Sequence, residues 1–300
     1  MLSWSEAIDL VADQYGFAGV VSVDRGGESD FAKAYGLADR AHQLPNTMAT
    51  RFAIAATLWT KGTAAGNAYA AARLLRLLNQ VRPDSVTHAA QWAATGASLD
   101  DPAGVADLLG VLRVAGASGQ VTALARRAAA HISLDNPAGV ALLLGALRVA
   151  GASGQVTALL ARDPAAHASL GHPAGVAHLL GALRVAGASG QVTALLARDP
   201  AAHISLDNPF GVARLLDALR QAGASGQVTA LASRAAAHIS LDNPAGVADL
   251  LGVLREAGAS GQVTALASRA AAHASLDDPA GVILLLGELR EAGPRRRPQC

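Results

Sequence analysis

The chain has 300 residues, room for about two domains at roughly 150 residues each. It is 51% hydrophobic, 3% aromatic and 16% charged, with a formal net charge of +1. That balance excludes an intrinsically disordered chain, which is poor in apolar residues and high in net charge. It also excludes a strongly basic nucleic-acid binder, because Arg and Asp/Glu nearly cancel and the only lysines are Lys33 and Lys61.

A single cysteine, Cys300, allows no internal disulfide framework. The start, Met1 to Asp9, has early acids and no basic region, so it does not read as a signal peptide. No apolar run approaches the roughly 18 to 20 residues needed to cross a bilayer. The expectation is a soluble, cytoplasmic protein that spans no membrane.

Residues 17–56 differ in pattern from the rest of the chain. Gly19-Val-Val-Ser-Val-Asp24, then Arg25-Gly-Gly-Glu28, then Phe31-Ala-Lys-Ala-Tyr-Gly36 predict two strands around a glycine turn. Taken with Ala38-Asp39-Arg40, Pro45-Asn46-Thr47 and Thr50-Arg51-Phe52-Ala53-Ile54-Ala55, residues 15–62 resemble the start of the serine β-lactamase and penicillin-binding-protein superfamily. The resemblance covers about a fifth of the chain and implies a nucleophile and a lysine one helical turn apart, where the amine can activate the hydroxyl for acyl transfer. Lys61 in Thr60-Lys61-Gly62 matches the family lysine, but Leu58 stands where the serine belongs. Thr57, four residues before the lysine, is the one hydroxyl that shares its helix face. No later Tyr-x-Asn, Ser-x-Asn, Lys-Thr-Gly or His-x-Gly motif completes the machinery. Residues 1–66 therefore read as a truncated hydrolase-like segment, catalytically inactive.

From about Asn67 to Gly293 one period organises the chain. The prolines of Asp-Pro, Asn-Pro or His-Pro pairs fall at Pro102, Pro137, Pro173, Pro209, Pro244 and Pro279, spaced by 35, 36, 36, 35 and 35. The glutamine of a Gly-Ala-Ser-Gly-Gln-Val turn recurs at Gln120, Gln155, Gln191, Gln227 and Gln262. A worn copy precedes these, with Leu74, Leu75 and Leu78 in place of Leu108, Leu109 and Leu112. The count is seven units, the first degenerate and the last without its second helix.

Each unit predicts two helices. Asn136 is an N-cap with Pro137 at the first helical position, where the missing N–H costs nothing. Val105, Leu108, Leu109 and Leu112 form one apolar stripe at i, i+3, i+4, i+7. Gly116 supplies the stop, and Arg113 suits the negative end of the helix dipole. Ser118 is expected to cap the second helix, whose inner stripe is Val121, Leu124, Ala125, Ala128 and Ile132. Neither helix buries its stripe alone, so the expected fold is mainly α. It is an α-solenoid of ~35-residue two-helix repeats, preceded by a short fragment containing a β-hairpin. The architecture resembles tetratricopeptide-like repeats, whose period is 34, without their Trp, Leu-Gly, Tyr and Phe signature.

Two units carry an inserted residue in Leu-Leu-Ala-Arg-Asp-Pro, ending at Pro164 and Pro200. Proline inside the second helix predicts a kink or break there, with Asp163 and Asp199 recapping.

Polar residues also recur in columns. His131, His167, His203, His238 and His273 end successive second helices. Equivalent positions lie about 10 Å apart, the spacing of packed helices, whereas zinc ligands sit near 2 Å from the metal. The column is therefore read as helix-terminal histidines with no metal, and no cofactor is expected; His172 and His178 are the one pair close enough for a stray site. Asp135, Asp207, Asp242 and Asp277 read as turn and capping residues.

Where the copies disagree, three positions of the first helix vary: Asp107, Val111, Val114; Leu142, Ala146, Val149; His178, Ala182, Val185; Arg214, Ala218, Gln221; Asp249, Val253, Glu256; Leu284, Glu288, Glu291. Offsets of four and seven place them on one face, opposite the core stripe. The expected binding surface is thus Asp107, Leu142, His178, Arg214, Gln221, Asp249, Glu256, Leu284, Glu288 and Glu291, acidic toward its far end. The expected partner is a protein or peptide with a basic segment, not nucleic acid, and exposed repeat ends predict self-association. The tail, residues 294–300, reads as a solvated basic end.

Overall fold

A computed structural model describes residues 8–10, 14, 19–25, 28–39, 44–45, 63, 65–81 and 86–292. The chain falls into two compact units, Met1–Ala97 and Ser98–Cys300. The division lies one helical hairpin beyond residue 66, so the degenerate first repeat belongs to the amino-terminal unit.

In that unit β1 (Gly19–Arg25) pairs antiparallel with β2 (Glu28–Tyr35), and β3 (Leu37–Asp39) with β4 (Leu44–Pro45). The β1–β2 register runs from Gly19 opposite Tyr35 to Arg25 opposite Glu28, while Gly26 and Gly27, expected to form the turn, lie outside the described residues. Asp9 accepts hydrogen bonds from Lys33 Nζ at 2.8 Å and from the Tyr35 hydroxyl at 2.5 Å, which ties it to β2. Helices α1 (Ala68–Val81) and α2 (Val86–Gly96) form the worn hairpin, burying Leu75, Ala90 and Ala93.

The second unit is the α-solenoid. Its first helices are α3 (Pro102–Val114), α5 (Pro137–Val149), α8 (Pro173–Val185), α11 (Pro209–Gln221), α13 (Pro244–Glu256) and α15 (Pro279–Ala292). Each packs on the next, so they stand side by side in one row. The second layer contains α4 (Ser118–His131), α6 (Ser153–Leu160) with α7 (Pro164–His167), and α9 (Ser189–Ala197) with α10 (Pro200–His203). It continues with α12 (Ser225–His238) and α14 (Ser260–His273). The aliphatic core lies between the layers, with Leu108, Leu112, Leu124, Leu144, Leu180, Leu216 and Leu251 at most 1% exposed.

Local chemistry accounts for the helix ends. Asn136 Oδ1 accepts from the Gly139 N–H at 3.1 Å, and Asn208 and Asn243 repeat the cap on Gly211 and Gly246. Gly116 adopts φ 71, its N–H bonds the Arg113 carbonyl at 3.1 Å, and the Ala117 N–H bonds the Leu112 carbonyl at 3.0 Å. This paired closure needs a left-handed residue, which glycine adopts without steric penalty. It also corrects the reading of Ser118. Ala117 both ends the first closure and takes the N-cap position of α4, so Ser118 is already helical and makes no side-chain cap.

The interruptions at Pro164 and Pro200 occur, with one correction. Asp163 (φ 53) and Asp199 (φ 47) are left-handed and absorb the inserted residue, but neither side chain caps the next helix. Gln191, from the next unit, closes the first break instead. Its Nε2 donates to Asp163 Oδ1 at 2.6 Å while its Oε1 accepts from the Ala165 N–H at 3.1 Å.

Two columns lock unit to unit. From α5 on, the third residue of each first helix is a glycine pressed on the preceding unit's proline. A Cβ added at Gly175 would lie 3.0 Å from Pro137 Cγ, and at Gly211 2.9 Å from Pro173 Cγ. From the α6–α7 segment on, an arginine of each second-layer segment reaches back to the end of the previous one. Arg162 bonds the Ala129 and Ile132 carbonyls, Arg198 those of Ala165 and Ala168, Arg234 those of Ala201 and Ile204, and Arg269 those of Ala236 and Ile239. These are carbonyls that a helix end leaves without an intrahelical donor.

Candidate functional site

The row of first helices turns one long side to solvent. Leu142, His178, Arg214, Asp249 and Leu284 are exposed along it, as are Val114, Val149, Val185, Gln221, Glu256 and Glu291 one turn or two further on. The middle position of each triplet departs from the expected face. Val111 is buried, and Ala146, Ala182, Ala218, Val253 and Glu288 are half-buried. A residue four after the first of its triplet points into the seam with the adjacent helix, which close stacking narrows.

Several predicted surface residues are engaged by neighbours on their own helix or the adjacent one. Arg214 Nη1 lies 3.1 Å from His178 Nε2. Arg184 donates to Gln221 Oε1 at 2.9 Å, and Gln221 Nε2 donates to Asp217 Oδ2 at 2.6 Å. Arg220 pairs with Asp217 at 2.6 Å and approaches Glu256 at 3.9 Å. Arg255 pairs with Glu288 at 2.8 Å and Glu291 at 3.2 Å. The acidic far end is therefore partly balanced by an arginine column, Arg184, Arg220 and Arg255, that the variable-position reading passes over because those residues do not vary. Asp107 is half-buried at the other end of the row.

Toward α15 the surface deepens. A groove of about 300 Å³ is lined by Phe210, Asp249, Val253, Glu256, Leu284 and Glu288, bringing together four of the predicted residues. Phe210 is the one aromatic residue after Trp92, so the variable face carries its largest exposed ring here. The groove thus offers a hydrophobic floor with carboxylates along it. Two further grooves, of about 600 and 390 Å³, repeat one unit apart beside Arg184 and Arg148, at the units whose second layer is interrupted. They are lined by Ser189, Val192 and Thr193 in one case and Ser153, Val156 and Thr157 in the other.

The ladder histidines His131, His167, His203, His238 and His273 are exposed at helix ends. No grouping of three or more His, Cys, Asp or Glu side chains suited to a metal occurs among the described residues. His172 is exposed at the start of α8 and makes no side-chain cap, while His178 faces Arg214. Thr57 and Lys61 lie outside the described residues, as does the tail 294–300. No described helix is long and apolar enough to cross a membrane. Comparison with known proteins returns no matching family model and no matching curated sequence.

Proposed function

We propose that the solenoid is a non-enzymatic scaffold that docks a protein or peptide along its row of first helices. The groove around Phe210 carries this reading. It joins an aromatic ring, Leu284 and Val253 to the carboxylates of Asp249, Glu256 and Glu288 on three neighbouring helices. Glu256 and Glu288 already face arginines, whereas Asp249 is exposed and free to accept a cation. The matching ligand is a segment with a basic side chain beside an apolar one. Association of this kind draws its energy from a few buried anchors, with charge setting orientation and encounter rate.

The test is fluorescence anisotropy with short labelled peptides that alternate Arg or Lys with Leu or Phe, set against acidic counterparts of equal length. The expected result is saturable binding of the basic set only, weakened at least tenfold in an Asp249→Lys, Leu284→Ser chain that melts normally. Equal binding by native and altered chains would refute the reading.

A second reading rests on the β1–β2 hairpin and its flanking motifs. In it the amino-terminal unit is a degenerate relative of serine β-lactamases, with Thr57 and Lys61 as remnants and no acyl transfer.

A further inference from the structure

The last helix of the row, α15, repeats a stripe that every preceding unit covers. Pro279, Ile283, Leu286 and Arg290 succeed one another at offsets of four, three and four, so they share one side of the helix. Their counterparts on α13 are Pro244, Ala248, Leu251 and Arg255. There α15 covers the apolar positions, leaving Leu251 1% and Ala248 5% exposed. On α15 the same side is open, with Ile283 69% and Leu286 54% exposed, and Leu276 in the loop before it is 77% exposed.

The residue types sharpen the contrast. At the position of Ile283 the other five units of the row have alanine: Ala106, Ala141, Ala177, Ala213 and Ala248. A small residue fits where the next helix abuts. Isoleucine stands where no described helix abuts, and it adds apolar area where an uncovered surface gains nothing from it.

The polar end of the stripe carries a second observation. Arg184, Arg220 and Arg255 each reach a partner on the next helix of the row: Gln221, Glu256, and the pair Glu288 and Glu291. Arg290 is exposed, and no subsequent helix among the described residues meets it. At the other end of α15, Asp277 and Asp278 are exposed beside Pro279. The open side therefore runs from acidic to apolar to basic, a sequence complementary to its own reverse.

We infer that this side of α15 pairs with the same side of a second copy, the two helices antiparallel about a two-fold axis. Ile283 of each copy then lies against Leu286 of the other. Arg290 of each lies beside Asp277 and Asp278 of the other, which gives two equivalent ion pairs. Such an interface closes on itself.

The dimensions set the strength. A 14-residue helix is about 21 Å long, and packed helices lie about 10 Å apart. A face two helices wide, with the ends of α14 and Leu276 beside α15, then gives roughly 400 Å² per copy, or about 800 Å² in total. That is below the standard range for stable complexes, so the expected dimer is a weak, reversible one.

The test is sedimentation equilibrium of the full chain over a hundredfold range of concentration. The expected result is a reversible shift from 30.1 kDa to twice that mass and no further. Ile283→Asp should weaken the dimer by at least about thirtyfold, the effect of a central interface residue. Ile283→Ala, which restores the residue of the other units and cannot harm the fold, should weaken it by a smaller factor. Arg290→Asp should also weaken it, and Leu142→Asp, on the variable face, should leave it unchanged. A chain that stays monomeric throughout overturns the inference, as it would if residues 293–300 or a different protein covered this side. So does a dimer indifferent to all three α15 substitutions, or a mass that grows without limit.

Discussion

Arg214, on α11, donates a hydrogen bond from Nη1 to His178 Nε2 on α8 at 3.1 Å. The two residues occupy the same column of successive units, 36 positions apart. An arginine has no lone pair to offer, so a hydrogen bond between them uses the histidine nitrogen as acceptor. At this pair, members of the variable column engage each other instead of facing solvent independently. Replacing one member changes what its neighbour presents to a partner.

The glycines of the first helices divide into two kinds. A Cβ at Gly175 meets Pro137 at 3.0 Å and the Ala138 nitrogen at 3.5 Å, whereas one at Gly181 meets nothing within 4 Å. Gly175→Ala should destabilise the array by about 1 to 3 kcal/mol through overpacking, despite the helix propensity of alanine. Gly181→Ala should stabilise it by up to about 1 kcal/mol. Urea denaturation of the two variants checks the opposite signs.

Arg198 is half-buried and its Nη1 bonds the Ala165 and Ala168 carbonyls, both at 2.7 Å. Arg198→Met keeps most of the aliphatic stem but leaves those carbonyls without this donor. A loss of about 1.5 to 3 kcal/mol is expected, the range for a hydrogen bond to a charged group. Arg198→Lys should recover only part of it, because an ammonium is more strongly hydrated than a guanidinium and costs more to bring into this half-buried place. Denaturant midpoints of the three chains decide.

Asp163 and Asp199 have the same left-handed backbone but different surroundings. Asp163 accepts from Gln191 at 2.6 Å, while no side-chain cap engages Asp199. Asp199→Gly should relieve the left-handed strain and raise stability by up to about 1 kcal/mol. Asp163→Gly should gain less or lose, since the same relief is offset by the lost bond. Calorimetric melting of both variants separates the two contributions.

Hydrogen bonds from Lys33 and Tyr35, with the nearby lysine charge, hold the Asp9 carboxyl below the ordinary carboxylate range, outweighing its slight desolvation. A lowered folded value means that the unfolded chain binds the proton more readily. The Asp9 contribution is therefore present above the ordinary carboxylate range, about pH 4, and is lost as pH falls through the lowered value. Amide chemical shifts of β2 should hold from neutral pH to about pH 4 and change only in stronger acid. In Asp9→Asn that acid step should vanish.

A penicillin-type fluorescent acylating probe addresses the amino-terminal unit. No covalent labelling is expected, because Leu58 occupies the position of the family nucleophile. Labelling that disappears in Thr57→Val would restore a catalytic reading.

Interactions within one unit were the legible part. The leucine stripes, the Asn136 cap, the Gly116 closure and the breaks before Pro164 and Pro200 all derive from helical periodicity and local backbone chemistry. Interactions between units were less so. Arg162, Arg198 and Arg234 meet carbonyls some thirty residues earlier, at an offset that only the stacking geometry defines. Their constancy was visible: each arginine, like Arg269, lies 25 positions after its unit's proline, even where a residue is inserted behind it. Among polar positions, attention to variability picked out the side facing solvent and missed the constant residues that join the units. The same bias concealed Arg220 and Arg255 beside the acids of the candidate site.

The arginine staples also give the solenoid a direction. Each second-layer segment from α4 to α12 has its final carbonyls closed by the segment that succeeds it, and never by the one before. Order at any level thus depends on what lies downstream. With no described successor to hold Ala271 and Ala274, α14 is the place where fraying begins. Amide protons should exchange fastest there and progressively slower toward α4, a one-way gradient in an array whose units are nearly alike. An insult at the carboxyl end would travel back through the repeats, whereas the same insult at α3 would leave every staple beyond it intact.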